Sequence, residues 1–220
     1  MTATLLIAAH GTASSTGSAT TRALADAVAA ARPDVPVRLC FLDVVSPRLA
    51  EALDAIDDEV VVVVPLLLSA GYHVITDIPR IVAGRTSVRV ARHLGPDPLL
   101  LEVVATRLAE AGGIAGTTAL AVVSSTRESA NAEIETARAA LSDRLGRDVS
   151  LLPLSADMRE TVATLPKPLA VAVYLLAEGA FLDALGDAVG SAGVVAAPIG
   201  VHPLLVHVIL NRYDAAVADR

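Results

Sequence analysis

Short apolar runs alternate along this chain with stretches whose apolar residues recur every three or four positions. Runs near Thr4–Ala9, Val35–Asp43, Val60–Leu68 and Val88–Ala91 read as strands; the intervening stretches near Ser18–Ala31, Pro47–Ile56, Thr76–Ala83 and Pro98–Ala111 read as helices. Val60–Leu68 is apolar without alternation, the pattern of a strand covered on both faces, and the βα order predicts a parallel sheet between helical layers. After the glycine-rich stretch Ala109–Thr118 the same order resumes. Strands are expected near Ala119–Ser124, Ser150–Leu154, Leu169–Ala177 and Val194–Ile199, and helices near Ala130–Leu145, Phe181–Val189 and Pro203–Val217. The prediction is an α/β fold of two similar βα lobes with parallel four-stranded sheets, divided into 1–112 and 113–220.

The likeness of the halves extends to residues. "GPDPLLLEVVATRLAEA" (Gly95–Ala111) lines up without gaps on "GVHPLLVHVILNRYDAA" (Gly200–Ala216), matching Arg107 with Arg212. Such self-similarity indicates an internal duplication. In the same manner "LLSAGYH" (Leu67–His73) lies over "LLAEGAF" (Leu175–Phe181), and "IAAHGTASS" (Ile7–Ser15) over "AVVSSTRES" (Ala121–Ser129). His73 thus falls on Phe181 and His10 on Ser124. A packing role should persist in both copies, so the joint loss of two imidazoles from one half marks them as site candidates.

Composition narrows the chemistry. With 54% hydrophobic residues and 2% aromatics the core is aliphatic, and stacking of bases on an aromatic platform is disfavoured. A formal net charge of −7 leaves little to neutralise phosphates, which argues against a nucleic-acid partner. The single cysteine, Cys40, rules out an intrachain disulfide and a CxxC metal site and fits a reducing, cytoplasmic setting. Lys167 is the only lysine and no Gly-Lys-Ser/Thr surrounds it, so a Walker-type ATP site is absent. The start lacks a basic n-region, and the uncharged stretch Ala188–Leu210 is broken by prolines, glycines and histidines; neither a signal peptide nor a membrane span is expected.

Ligands of doubly wound sheets bind beyond the carboxyl ends of the strands. His10 follows the first strand, Asp43 ends the second in "CFLD", and His73 follows the third. Their convergence on one rim is the expectation. Two imidazoles and a carboxylate suit a divalent first-row metal with open positions, and the same groups can move protons near neutral pH. Asp43 has a second reading, as a cap, together with Ser46, for the helix that follows. Asp77 is read as a local cap or pair near Ile78-Pro79, and His93 as a surface residue of the turn before Pro96. His202 and His207, five apart, do not share a helix face and are assigned core or surface roles. The Ser/Thr-rich "GTASSTGSATT" (Gly11–Thr21) is expected to form a mobile flap over the site.

Taken together, "LLIAAHGT", "FLDVVSPRLAEAL", "VPLLLSAGYHVITDIPRIV" and "RHLGPDPLL" resemble the sirohydrochlorin chelatases, the class II tetrapyrrole chelatases that insert cobalt or iron without ATP. The resemblance covers residues 4 to 111, and the second lobe resembles the degenerate half of the long, two-lobed members. It implies a chelatase-like bilobal fold with a tetrapyrrole in the cleft between lobes. It also implies a divalent metal (Co²⁺ or Fe²⁺, with Ni²⁺ a third candidate) as substrate, no organic cofactor, and a product for cobalamin or siroheme synthesis. His10 and His73 become the catalytic pair that binds the metal and accepts pyrrole protons, and Gly71 and Tyr72 line the macrocycle pocket. The family commonly has glutamate where this chain has Asp43. The substrate's carboxylates call for basic groups, for which Arg80, Arg85 and Arg92 are candidates, or for exposed helix N-termini.

Two other functions compete. A non-catalytic metal or tetrapyrrole carrier would carry the same ligands. "HGT" at a strand end also resembles phosphatases with a phosphohistidine nucleophile, but Ala9 stands where those proteins have an arginine for the phosphate. Because the duplicated lobes mimic a dimer within one chain, a monomer is compatible with this organisation.

Overall fold

The computed structural model describes residues 3–56, 60–113, 116–123 and 125–218. In chain order the strands are β1 (Thr4–Ala9), β2 (Val37–Phe41), β3 (Val61–Leu66), β4 (Val88–Val90), β5 (Thr117–Val123), β6 (Val149–Leu154), β7 (Leu169–Val173) and β8 (Gly193–Val195). The α-helices are α1 (Ser15–Ala31), α2 (Leu49–Asp54), α3 (Ile78–Val82), α4 (Pro98–Glu110), α5 (Glu128–Leu145), α6 (Met158–Thr164), α7 (Ala180–Val189) and α8 (Pro203–Ala218). A π-helical turn, His73–Asp77, leads into α3.

The first sheet has the order β2-β1-β3-β4 and the second β6-β5-β7-β8, with every pairing parallel. All six residues of β1 and of β3 are buried, as strands without alternation should be. Leu5, Leu6, Ile7 and Val62–Val64 are fully enclosed, and each such aliphatic side chain contributes about 1.5–3 kcal/mol of transfer free energy. α1 offers Leu24, Ala25 and Val28 to this core, neighbours on one helical face. It starts early. Ser14 caps it by accepting from the Gly17 N–H, so the Ser/Thr-rich segment expected to be a flap is helical from Ser15 onward. Serine and threonine there serve the backbone: the Thr21 hydroxyl donates to the Gly17 carbonyl and the Ser18 hydroxyl to that of Thr12. α6 was not expected; its short run, Met158–Thr164, buries only Met158 and Val162.

The compact units are Met1–Gly95 with Val201–Arg220, and Pro96–Gly200. The chain therefore divides at two places, not at a single point near residue 112. The reason lies in the duplicated helices. α4 follows β4 in sequence but packs on β7 and α5 in the second unit, whereas α8 packs on β3 and α1 in the first. Ungapped similarity between α4 and α8 shows that they are equivalent and is silent about which sheet each covers. Their arginines do equivalent work: Arg107 donates to the Ile199 carbonyl in the second unit, and Arg212 to the His93 and Leu94 carbonyls in the first. α8 is further tied within its unit by a forked Arg32–Asp214 pair, by Arg89 on the carbonyls of its last turn, and by the Tyr213 hydroxyl donating to Ala3.

Backbone pairing tests the alignment of the halves. Leu94 N–H donates to Leu67 and Ile199 N–H to Leu175; Ala91 N–H donates to Val63 and Ala196 N–H to Val171. Both pairs agree with the expected offsets. The first strands do not. Ala8 pairs with Pro65 and Ala121 with Val173, which places Ala8 on Ala121 and His10 on Val123, one residue from the expected Ser124. Ser124 itself lies outside the described residues. A strand apolar on both faces has no period of two to fix its register, so a slip of one leaves no mark in sequence. Either register leaves the second copy without an imidazole.

Cys40 is enclosed in β2, and burial pushes its thiol up to about 12. Because the thiolate is the reactive form, Cys40 should not react with a thiol reagent at neutral pH in the folded chain and should react stoichiometrically in denaturant. Reaction without denaturant at the unfolded rate would contradict the buried placement.

Candidate functional site

In the first sheet β1 lies between β2 and β3, so the segments that follow these three strands share one rim. His10 is the first residue past β1 and is exposed. The ladder continues beyond the strands at this point: Leu42 N–H donates to Ala9 and Asp43 N–H to His10. Gly11 follows with φ +95°, and a Cβ there would lie 2.2 Å from the Asp43 carbonyl oxygen, so only glycine permits this approach. The backbone of "HGT" is thereby fixed against the end of β2.

His73 arrives from the other side of β1. After β3 the chain runs through Leu67–Ala70, and the Gly71 carbonyl accepts from the Ile75 N–H, opening a helical turn. The Ile78 N–H then reaches back five residues to the His73 carbonyl, closing the π turn. His73 and His10 meet edge to face, with ring centroids 4.9 Å apart and planes at 86°. Tyr72, half-exposed, stands edge-on to His73 at 5.8 Å. Gly71 faces open space, since a Cβ there would touch nothing within 4 Å.

Each imidazole has an oxygen beside Nδ1. His10 Nδ1 lies 3.1 Å from the Gly11 carbonyl, and His73 Nδ1 lies 3.1 Å from Oδ2 of Asp77. Both oxygens only accept, so each Nδ1 carries the proton and donates, and each Nε2 keeps its lone pair. Asp77 is buried and takes a second bond at Oδ1 from Arg80, at 2.8 Å. Burial alone would raise its carboxyl, but the bonds from Arg80 and His73 outweigh that and hold it below the ordinary aspartate value. It is an anion at neutral pH.

Of the residues expected to converge, the structure brings His10 and His73 together and leaves the Asp43 carboxylate out of their group. Asp43 Oδ1 accepts from the Val44 N–H at 2.8 Å and faces Arg48 at 3.5 Å, and the side chain is half-exposed. Nor does it cap α2, at whose start the Glu51 carboxylate accepts from the Arg48 N–H. Val44 beside it holds φ +64°, an uncommon conformation for a β-branched residue. Among the described residues no cluster of three or more His, Cys, Asp or Glu could cage a metal ion. Asp77 is the residue that sequence reasoning undervalued. Its spacing of four from His73 was the available signal, since residues so spaced are neighbours on a helical surface.

The remaining candidates resolve individually. Arg80 is committed to Asp77, Arg85 pairs with Asp54 at 2.6 Å, and Arg92 is exposed. His93 is buried, with 7% of its surface exposed, against the expectation of a surface turn. α8, remote in sequence, packs on this unit, and its Arg212 holds the His93 carbonyl. His202 Nδ1 accepts from the Leu204 N–H at the start of α8, and His207 is exposed.

The CbiX family model matches residues 4–111, the stretch that carries both histidines, Asp43 and Asp77. Residues 4–111 belong to the CbiX family. The whole chain adopts the fold of solved chelatases. It superposes with a TM-score of 0.84 on the sirohydrochlorin chelatase SirB from Bacillus subtilis subspecies spizizenii, a cobalt complex, at 19% identity over 100% of this chain and 97% of that one. SirB from Bacillus subtilis with Fe³⁺ gives 0.81, again at 19% identity with the same coverage. A multi-domain protein from Deinococcus radiodurans, described as structurally similar to chelatases, gives 0.71 at 21% identity, this chain spanning 56% of its length. No curated protein sequence matches the chain. The CbiX segment is thus carried on a two-lobed, all-parallel chelatase fold.

Proposed function

We propose that the chain inserts a divalent metal, Co²⁺ or Fe²⁺, into sirohydrochlorin or a closely related tetrapyrrole without ATP, at a site built around His10 and His73. The observation that carries this is the pair of imidazoles in edge contact, each with Nδ1–H donated to an oxygen and Nε2 left as a lone pair. Two neutral nitrogen donors suit an ion in transit: they leave most coordination positions open, whereas a resident structural site closes with four ligands. The proteins with bound cobalt and Fe³⁺ on the same fold support a metal as cargo.

The exchange balances. A divalent ion held by the two Nε2 atoms leaves for the four macrocycle nitrogens as two pyrrole N–H bonds break. The Nε2 lone pairs freed by the ion take up the two protons. The imidazoles end as two imidazolium groups, the macrocycle holds the metal, and total charge is unchanged. Tyr72 and Gly71 border His73 on the open side and are assigned to the macrocycle face. Asp43 contributes through its backbone, which fixes His10, and its exposed carboxylate is available at the rim.

The test is anaerobic absorbance of sirohydrochlorin with catalytic amounts of the chain and Co²⁺, Fe²⁺ or Ni²⁺ in turn. The expected result is metallation faster than the spontaneous reaction, with many turnovers per chain. A spectral shift on binding without faster metallation would replace the chelatase reading with that of a carrier, and no shift would overturn both.

A further inference from the structure

We infer that Asp77 is a positioning residue for His73, fixing its tautomer and ring so that Nε2 faces the incoming ion. The inference deepens the proposed function and rests on it. A neutral imidazole carries one proton on either nitrogen. A carboxylate can only accept, so the 3.1 Å contact between His73 Nδ1 and Asp77 Oδ2 places the proton on Nδ1 and removes the tautomer in which Nε2 would be blocked. The other oxygen, Oδ1, is taken by Arg80 at 2.8 Å, which stops the carboxylate from rotating away. The Asp77 side chain is only 10% exposed, while that of Arg80 is 72% exposed. The relay thus runs from solvent through a buried anion to the ring.

The second unit supplies an internal comparison. By ungapped count His73 falls on Phe181, Asp77 on Leu185 and Arg80 on Ala188, so ring, carboxylate and guanidinium are lost together. The helix there, α7, is α-helical from Ala180 to Val189, and the described π turn has no counterpart in it. Leu185 is fully buried, so an aliphatic side chain fills the equivalent place in a packed helix. Packing alone therefore does not require the acid or the π turn. Both accompany the imidazole.

The experiment uses the full chain labelled with ¹⁵N-histidine, without tetrapyrrole or metal, at a pH where the imidazoles are neutral. Long-range ¹H–¹⁵N correlation reads which nitrogen carries each proton, and His73→Ala assigns the signal. The wild-type chain is expected to show His73 in the Nδ1–H form, and Asp77→Leu the Nε2–H form or a mixture. In the insertion assay Asp77→Leu should raise the apparent KM for Co²⁺ about 10- to 100-fold, the usual cost of losing such an outer partner, with the KM for sirohydrochlorin little changed. Asp77→Glu, which keeps an acceptor, should recover part of that loss. A wild-type His73 in the Nε2–H form, or an unchanged tautomer in Asp77→Leu, overturns the inference. The wild-type spectrum decides even if Asp77→Leu does not fold. Because the spectrum needs no substrate, a correct tautomer in a chain that fails to insert metal would defeat the proposed function and leave the positioning role standing.

Discussion

His73→Ala is expected to slow metal insertion by about 100- to 10,000-fold, the range over which a positioned proton acceptor acts, and to leave the chain folded. The substitution deletes one of two Nε2 lone pairs, so it removes a metal donor and a proton acceptor at once. The fold should tolerate it because the group left behind is not orphaned. Asp77 keeps its bond from Arg80, and the imidazole removed is itself 18% exposed and stands beside half-exposed Tyr72. The check is the initial rate of Co²⁺ insertion together with the urea midpoint of the same preparation. A variant with near wild-type rate would take His73 out of the mechanism. A variant with a collapsed midpoint would show that its role is to hold the turn. His10→Ala should match it in rate, since in the proposed reaction the two rings share one ion, and the double variant should be little slower than either single one. Residues that act as a unit are not additive. Additive losses would place the two histidines in separate steps.

The parallel sheets were readable because their strands are short aliphatic runs separated by helical periodicity, and β1 begins and ends where the pattern places it, at Thr4 and Ala9. The histidine pair was readable for a different reason: topology alone brings the ends of adjacent parallel strands together, and the second half, which lacks both imidazoles at the aligned positions, showed which residues were not needed for packing. What the sequence hid is long-range or sub-residue information. The partition of α4 and α8 between units depends on which sheet each covers, and similar helices carry similar apolar faces. The burial of His93 follows from the same placement of α8. The register of β5 against β1 depends on a period of two that fully buried strands lack. The exclusion of the Asp43 carboxylate from the histidine group turns on one local choice, its bond to the Val44 N–H, which no spacing reveals. Asp77 lay between these extremes: its i+4 spacing from His73 was visible, but the π turn that seats it was not.

Gly11→Ala is expected to lower stability by about 3 kcal/mol, combining the typical costs of overpacking and of strained backbone, and to reduce insertion further than that loss alone explains. Two features of the position act together. Its φ of +95° is outside the range that L side chains readily adopt, and the new Cβ would lie 2.2 Å from the Asp43 carbonyl oxygen, a backbone atom that cannot rotate aside. Relief requires the loop after β1 to part from the end of β2. That movement stretches the bond from the Asp43 N–H to the His10 carbonyl and carries the His10 ring away from His73, and a displacement of about 1 Å at a reacting group can cost on the order of 100-fold in rate. Gly71→Ala is the matched control. Its Cβ would meet nothing within 4 Å, so its urea midpoint should equal that of the wild type, while the added methyl on the macrocycle side should weaken tetrapyrrole binding. If Gly11→Ala unfolds at the wild-type urea concentration, the close approach of the two loops is not what holds His10. If Gly71→Ala instead loses stability with tetrapyrrole affinity intact, Gly71 belongs to the packing of the turn, and the macrocycle lies elsewhere on the rim.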